Sequence, residues 1–155
     1  MTASRIERSV EIAAPVGDVF AFHLDTRNAA QVSPRGQRVV GVEGAFPVTP
    51  GSVVTMRMRR WPLPGTTAWR VRIEAVDAPR RIVDVAERSP FASWRHEHHF
   101  QSLGPERTLM TDRLAYRLPG GLLGRAVDRL ALRRLLGRAL AERHRLTRAR
   151  LERGG

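Results

Sequence analysis

The sequence predicts an α+β fold: a curved antiparallel sheet of seven strands wrapped around one long carboxy-terminal helix. Three observations carry this expectation. One amino-terminal segment and six successive later segments read as strands, short Gly/Pro clusters separate the six, and the chain after Pro119 changes to helical periodicity. Six strands joined by short turns form a meander, because parallel neighbours need crossovers of a dozen or more residues.

Residues 5–14, RIERSVEIAA, set Ile6, Val10 and Ile12 in phase, the period-two pattern of a half-buried strand. Pro15 then opens PVGDVFAFHLD, where Val16, Val19, Phe20 and His23 or Leu24 recur at helical spacing, and Asp25 or Thr26 caps a second short helix through Ala30. The six strands are RVVGVEG, SVVTMRMRRW, TTAWRVRIEAVD, RRIVDVAE, FASWRHEHHF and RTLMTDRLAYRL, separated by GAFPVTPG, PLPG, APR, RSP and SLGPE. Those separators are turn chemistry. Beyond Pro119, Leu132, Leu135, Leu136, Ala139, Leu140 and Leu146 fall largely on one helix face, while Arg133, Arg134, Arg138, Arg145 and Arg148 mostly fall elsewhere. Gly137 permits a bend. A bent sheet gripping one helix leaves room for a ligand between its two layers.

At 155 residues the chain suits a single domain over 1–155 with one core. There is no cysteine, which excludes disulfides, thiolate metal sites and cysteine nucleophiles and agrees with a reducing compartment. The first twenty residues hold no uninterrupted apolar core, and nowhere do eighteen apolar residues run together, so a soluble, cytoplasmic protein is expected. The formal charge of +12 is carried entirely by arginine, with no lysine in the chain. From Pro119 onward ten arginines face Asp128, Glu142 and Glu152, a net of +7. Such a helix is either an ordinary solvated face or a partner surface for an anionic membrane or RNA. The segment has no aromatic residues between its arginines and the helix covers the sheet face, which argues against nucleic acid.

The order strand, two short helices, six strands, long helix resembles the helix-grip fold of the START-like superfamily, which includes the birch-pollen allergen, lipid carriers and polyketide cyclases (the SRPBCC group). The wording agrees locally. SVEIAAPVGDVFAFHLDTRNAAQVSP is similar to the family opening, with a strand ending at Ala-Pro, an aromatic at Phe20 and Pro34 closing the second helix. IVDVAERSPFASWRHEHHFQSLGPERTLMTDRLAYRLPGGLLG resembles the later segment of ligand-binding and cyclase-like members through Pro90, Phe91, Trp94, His96, His98, Phe100, Thr108, Asp112, Tyr116 and Pro119. The resemblance implies a small hydrophobic ligand such as a lipid, quinone or polyketide, or a cyclase or dehydratase activity; fold alone does not choose between them.

FASWRHEHHF carries three of the five histidines. Alternation turns Trp94, His96, His98 and Phe100 to one face and Arg95, Glu97 and His99 to the other. A turn centred on Pro105 sets Phe100 opposite Met110, His98 opposite Asp112, His96 opposite Leu114 and Trp94 opposite Tyr116; a slip by two would bring His96 or Phe100 nearer Asp112, whereas a slip by one would turn an apolar face outward. This gives an inward polar trio of His96, His98 and Asp112. As a metal site the trio has permissible spacing without a strong signature. As a catalytic site His98 is a base oriented by Asp112, with Tyr116 donating a proton to a developing enolate. As a binding site His96, His98, Asp112 and Tyr116 anchor a ligand whose apolar walls are Met56, Met58, Trp69, Trp94, Phe100 and Met110. An aspartate opposite a histidine can equally do no more than satisfy both groups. Asp84 is ambiguous, since Val83 and Val85 are out of phase with it and would turn it to solvent. No GxSxG, Walker-type or GxGxxG run is present, so no cofactor is expected, and the reading preferred over metal or catalysis is a ligand-binding protein.

Overall fold

In the computed structural model, which describes residues 3–153, seven strands form one antiparallel sheet in the order β1-β7-β6-β5-β4-β3-β2. They are β1 (Ser4–Ile12), β2 (Gln37–Glu43), β3 (Val53–Arg60), β4 (Thr67–Asp77), β5 (Arg81–Arg88), β6 (Ser93–Gly104) and β7 (Arg107–Arg117). Helix α1 (Val16–Leu24) starts on Pro15, whose fixed backbone suits a helix entrance. The second short helix is 3₁₀, Thr26–Val32, and Asp25 caps it by accepting from the Arg27 amide. After β7 the chain forms α2 (Gly121–Val127), a π-helical segment (Asp128–Leu132) and α3 (Arg133–Leu151) without a break. This is the helix-grip arrangement, with the carboxy-terminal helix held by the curved sheet.

The β6–β7 register is the one the sequence predicts, pairing Trp94 with Tyr116, His96 with Leu114, His98 with Asp112 and Phe100 with Met110. Register shifts at Val39/Gly41, at Arg70/Val71 and Ile73/Ala75, and at Ser102/Gly104 mark bulges. Bulges add local twist and bend, which lets the sheet curl around the helix. Arg95, Glu97 and His99 turn outward, where Arg95 pairs with Glu74 and Glu97, and Glu97 also meets His99.

Three apolar clusters fill the interior. Phe20, Ile12, Ile82, Phe100 and Met110 pack beneath α1; Ile6, Leu114, Tyr116 and Leu140 pack beneath α3; Val48, Val54, Val71 and Ile73 fill the β3–β4 side.

Two expectations need correction. The buried face of α3 runs through Gly137, Leu140, His144 and Thr147, whereas Leu135 is exposed. Counting leucines rotates the face, because two of its true members are polar and one is glycine. Gly137 allows close approach, since a Cβ there would come 3.1 Å from the Arg8 guanidinium. Asp84 faces inward with Ile82, next to His96 on the paired strand. Val83 is nonetheless fully buried on the outer face, between Ala75 and Glu97. Burial on both faces of β5 removes the phase signal on which its orientation depended.

Candidate functional site

Between the sheet and α3 lies a cavity of about 150 Å³. Met56 and Met58 of β3, Trp69 of β4, and Trp94, His96 and His98 of β6 all line it. Four residues expected beside them sit elsewhere. Phe100 and Met110 belong to the cluster under α1, Asp112 lies behind His98, and Tyr116 is fully buried with its hydroxyl donating to Asp128. The cavity instead gains His23 of α1, Asp84 of β5, Phe91 of the β5–β6 turn, and Leu136 and Arg143 of α3. A wider groove of about 660 Å³ on the outer face passes His99 and Arg113, but gathers no buried polar atom lacking a partner.

The polar end is organised by Asp112. Its Oδ1 accepts from His98 Nδ1 at 2.6 Å and its Oδ2 accepts from His144 Nε2 at 2.7 Å. One carboxylate therefore fixes two imidazoles, one on the sheet and one on the helix, leaving His98 Nε2 3.5 Å from Asp84 Oδ2. The rings of His23, His98 and His96 follow one another, with centroids 5.4 and 4.1 Å apart.

These contacts divide the protons unequally. Burial opposes charge on His98, but the carboxylates of Asp112 and Asp84 outweigh it and push its pKa up to about 9. Burial, together with the cation on His98, holds His23 down to about 3 and lowers His96. Asp112 is itself buried, which favours the acid, yet the neighbouring imidazoles hold it well below the usual carboxylate range. At neutral pH His98 is the cation and His96 and His23 are neutral.

Two polar atoms of residues that line the cavity have no partner. Trp69 Nε1 and His96 Nε2 are buried and make no hydrogen bond; His96 Nε2 lies 3.5 Å from Asp112 Oδ1 without the geometry of one. Native structures leave few such groups, and each requires an explanation. Asp84, His96 and His98 also bring one donor atom each within 4.8 Å of one another, the donor types of a transition-metal site. The carboxylate in that set is Asp84 rather than the expected Asp112, both of whose oxygens are taken.

His144 and Asp128 escaped the sequence reading. Each lies in an arginine-rich helix where a polar residue looks like part of the solvated face. The available signal was position: His144 follows Leu140 by four, on the buried stripe.

Comparison with known proteins agrees with this architecture. Residues 3–152 match the family model described as polyketide cyclase / dehydrase and lipid transport. The chain belongs to that family. Among solved structures, the Zhui aromatase/cyclase of a Streptomyces species superposes with a TM-score of 0.78 at 20% identity, covering 97% of this chain and 94% of that one. A Thermus thermophilus protein gives 0.78 at 15% identity, covering 98% and 99%, and a START superfamily protein of Mycobacterium smegmatis gives 0.68 at 14%, covering 97% and 99%. Two strain versions of an uncharacterised Mycobacterium tuberculosis protein are 29% identical over 119 residues, 76% of this chain. The match spans 50% of their length.

Proposed function

We propose that the cavity binds a small, mostly apolar molecule that carries at least one hydrogen-bond-accepting oxygen. The observation behind this reading is the pair of orphan nitrogens. Trp69 Nε1 can only donate, so its partner must be an acceptor such as a carbonyl or hydroxyl oxygen. Met56, Met58 and Trp94 supply an adaptable apolar wall. A cavity of about 150 Å³ admits a molecule the size of one aromatic ring. Lipids, quinones and aromatic polyketides all contain suitable oxygens, and the larger of them require the walls to move.

A second reading is polyketide-cyclase-type catalysis, favoured by one geometric fact. His98 is oriented at Nδ1 by Asp112 and lines the cavity. Because it is already protonated at neutral pH, its role would be general acid or stabiliser of an enolate oxygen, not base. Tyr116 takes no part, since its hydroxyl is committed to Asp128.

The test is a thermal-shift and native mass spectrometry screen with phenols, quinones, fatty acids, sterols and aromatic polyketides. Binding by the native protein, weakened in Trp69→Phe, is expected. Absence of any co-purified or added ligand across the screen would overturn the binding reading. Turnover of a bound poly-β-ketone, abolished in His98→Ala with binding retained, would move the assignment to the enzyme.

A further inference from the structure

We propose that the outer face of α2, the π-helical segment and the first turn of α3 is a docking surface for an anionic lipid membrane, set at the rim of the cavity. Leu122, Leu123, Val127, Leu130 and Leu135 are between 49% and 77% exposed. In a regular helix residue 134 would follow Leu130 on the same face. The extra residue of a π turn makes that step five, bringing Leu135 into line and extending the stripe over about four turns. An apolar face of this length on a soluble helix requires an occupant.

Charge identifies the occupant. Arg125, Arg129, Arg133, Arg134 and Arg138 are all exposed, and none pairs with a carboxylate among the described residues. Between Leu118 and Ala141 the single carboxylate is Asp128, which is buried and accepts from Ser4 and Tyr116. A second copy of this chain docked on the same face would press like charges together with no acid to neutralise them. RNA would engage the arginines and leave the leucines wet. Phospholipid headgroups over an acyl region meet both sets at once, as with interfacial amphipathic helices.

Position gives the surface a use. Leu135 adjoins Leu136, which lines the cavity, and the lining residue Arg60 at the end of β3 is followed by Trp61 and, after Pro62, Leu63, both strongly exposed. Exposed apolar groups thus adjoin the cavity wall on both the helix and the sheet side, where an amphiphile would leave a bilayer.

The experiment is flotation of the full chain with vesicles of phosphatidylcholine alone or mixed with phosphatidylglycerol, at low and high salt. The native protein is expected to float with the mixed vesicles at low salt and less at high salt. Leu122→Ser/Leu123→Ser/Leu130→Ser, whose changes are all on exposed side chains, should lower partitioning about tenfold or more without shifting the melting temperature. Arg125→Gln/Arg129→Gln should lower it roughly fivefold per charge on mixed vesicles and leave neutral vesicles unaffected. Failure of the native protein to float, flotation indifferent to the leucines, or a dimer in light scattering that the leucine variant dissociates would each overturn the proposal. Retention of single-stranded RNA that the arginine variant loses, without flotation, would also overturn it. The cavity reading is tested without vesicles and on different residues, so either can fail alone.

Discussion

Asp112 of β7 and His144 of α3 are joined by a buried 2.7 Å hydrogen bond, so the carboxylate that orients His98 also ties the helix to the sheet. Replacing Asp112 with Asn removes the negative charge shared by His98 and His144 while keeping its volume. Losing one partner of a buried ion pair costs about 3–5 kcal/mol. Asp112→Asn should therefore lower the free energy of unfolding by that order in urea titration at pH 7. An unchanged midpoint would mean the network is already neutral.

The same network sets the pH dependence of stability. His98 is raised to about 9 in the folded state from about 6.5 unfolded, so its contribution is complete below pH 6.5 and is lost as pH rises through 9. His23, lowered to about 3, and His96, lowered by burial and the cation on His98, are shifted the other way, so the unfolded chain binds their protons first and stability falls as pH drops below 6.5. The expected profile peaks near pH 6.5, with an alkaline loss of about 3 kcal/mol from His98 at 1.36 kcal/mol per pKa unit. Urea titrations at pH 5, 6.5 and 9.5 measure it, and His98→Gln should flatten the alkaline arm.

Trp69→Phe should separate stability from binding. It deletes an unsatisfied buried donor, so the ligand-free protein should be as stable as the parent or more so. The same change removes the hydrogen bond to a bound oxygen, worth about 1 kcal/mol, and should weaken affinity several-fold. Paired melting and calorimetric titration check the two signs. A loss of stability with unaltered affinity would refute the assigned role.

Tyr116→Phe should destabilise the fold by about 1–3 kcal/mol, because Asp128 loses a buried donor, while ligand affinity and any turnover remain. A selective loss of turnover would return Tyr116 to the chemistry.

Gly124→Ala should disrupt the entrance of α2. Gly124 is packed so tightly on Pro119 that a Cβ would fall inside contact distance of its carbonyl oxygen. Reduced helicity and a lower melting temperature are expected by circular dichroism.

The fold was legible because its signals are local: alternation, Gly/Pro turns and the change of period after Pro119. The β6–β7 register was largely legible too: a one-residue slip would turn an apolar face outward, and of the pairings two residues apart that keep Trp94, His96, His98 and Phe100 buried together, the structure has the one centred on the turn at Pro105 and Glu106. Which of those residues border empty space was not legible, because alternation assigns a face and says nothing of depth. Phe100 and Tyr116 share a face with His98, yet α1 covers one and the π-helical segment the other. Asp84 and His144 required knowing which strand and which helix stand opposite β6 and β7, a long-range fact carried by no local pattern.

The carboxy-terminal helix behaves as a beam on two supports. Asp128 is clamped by Ser4 and Tyr116, and His144 is clamped by Asp112. The sixteen residue steps from one to the other span about 24 Å at 1.5 Å per residue, and the helical side chains facing the cavity, Leu136 and Arg143, both lie within that span. A guest larger than one ring cannot be admitted by lifting the roof without unseating a buried carboxylate. Room must come from the opposite side, where Met56 and Met58 can change rotamer while the beam stays in place.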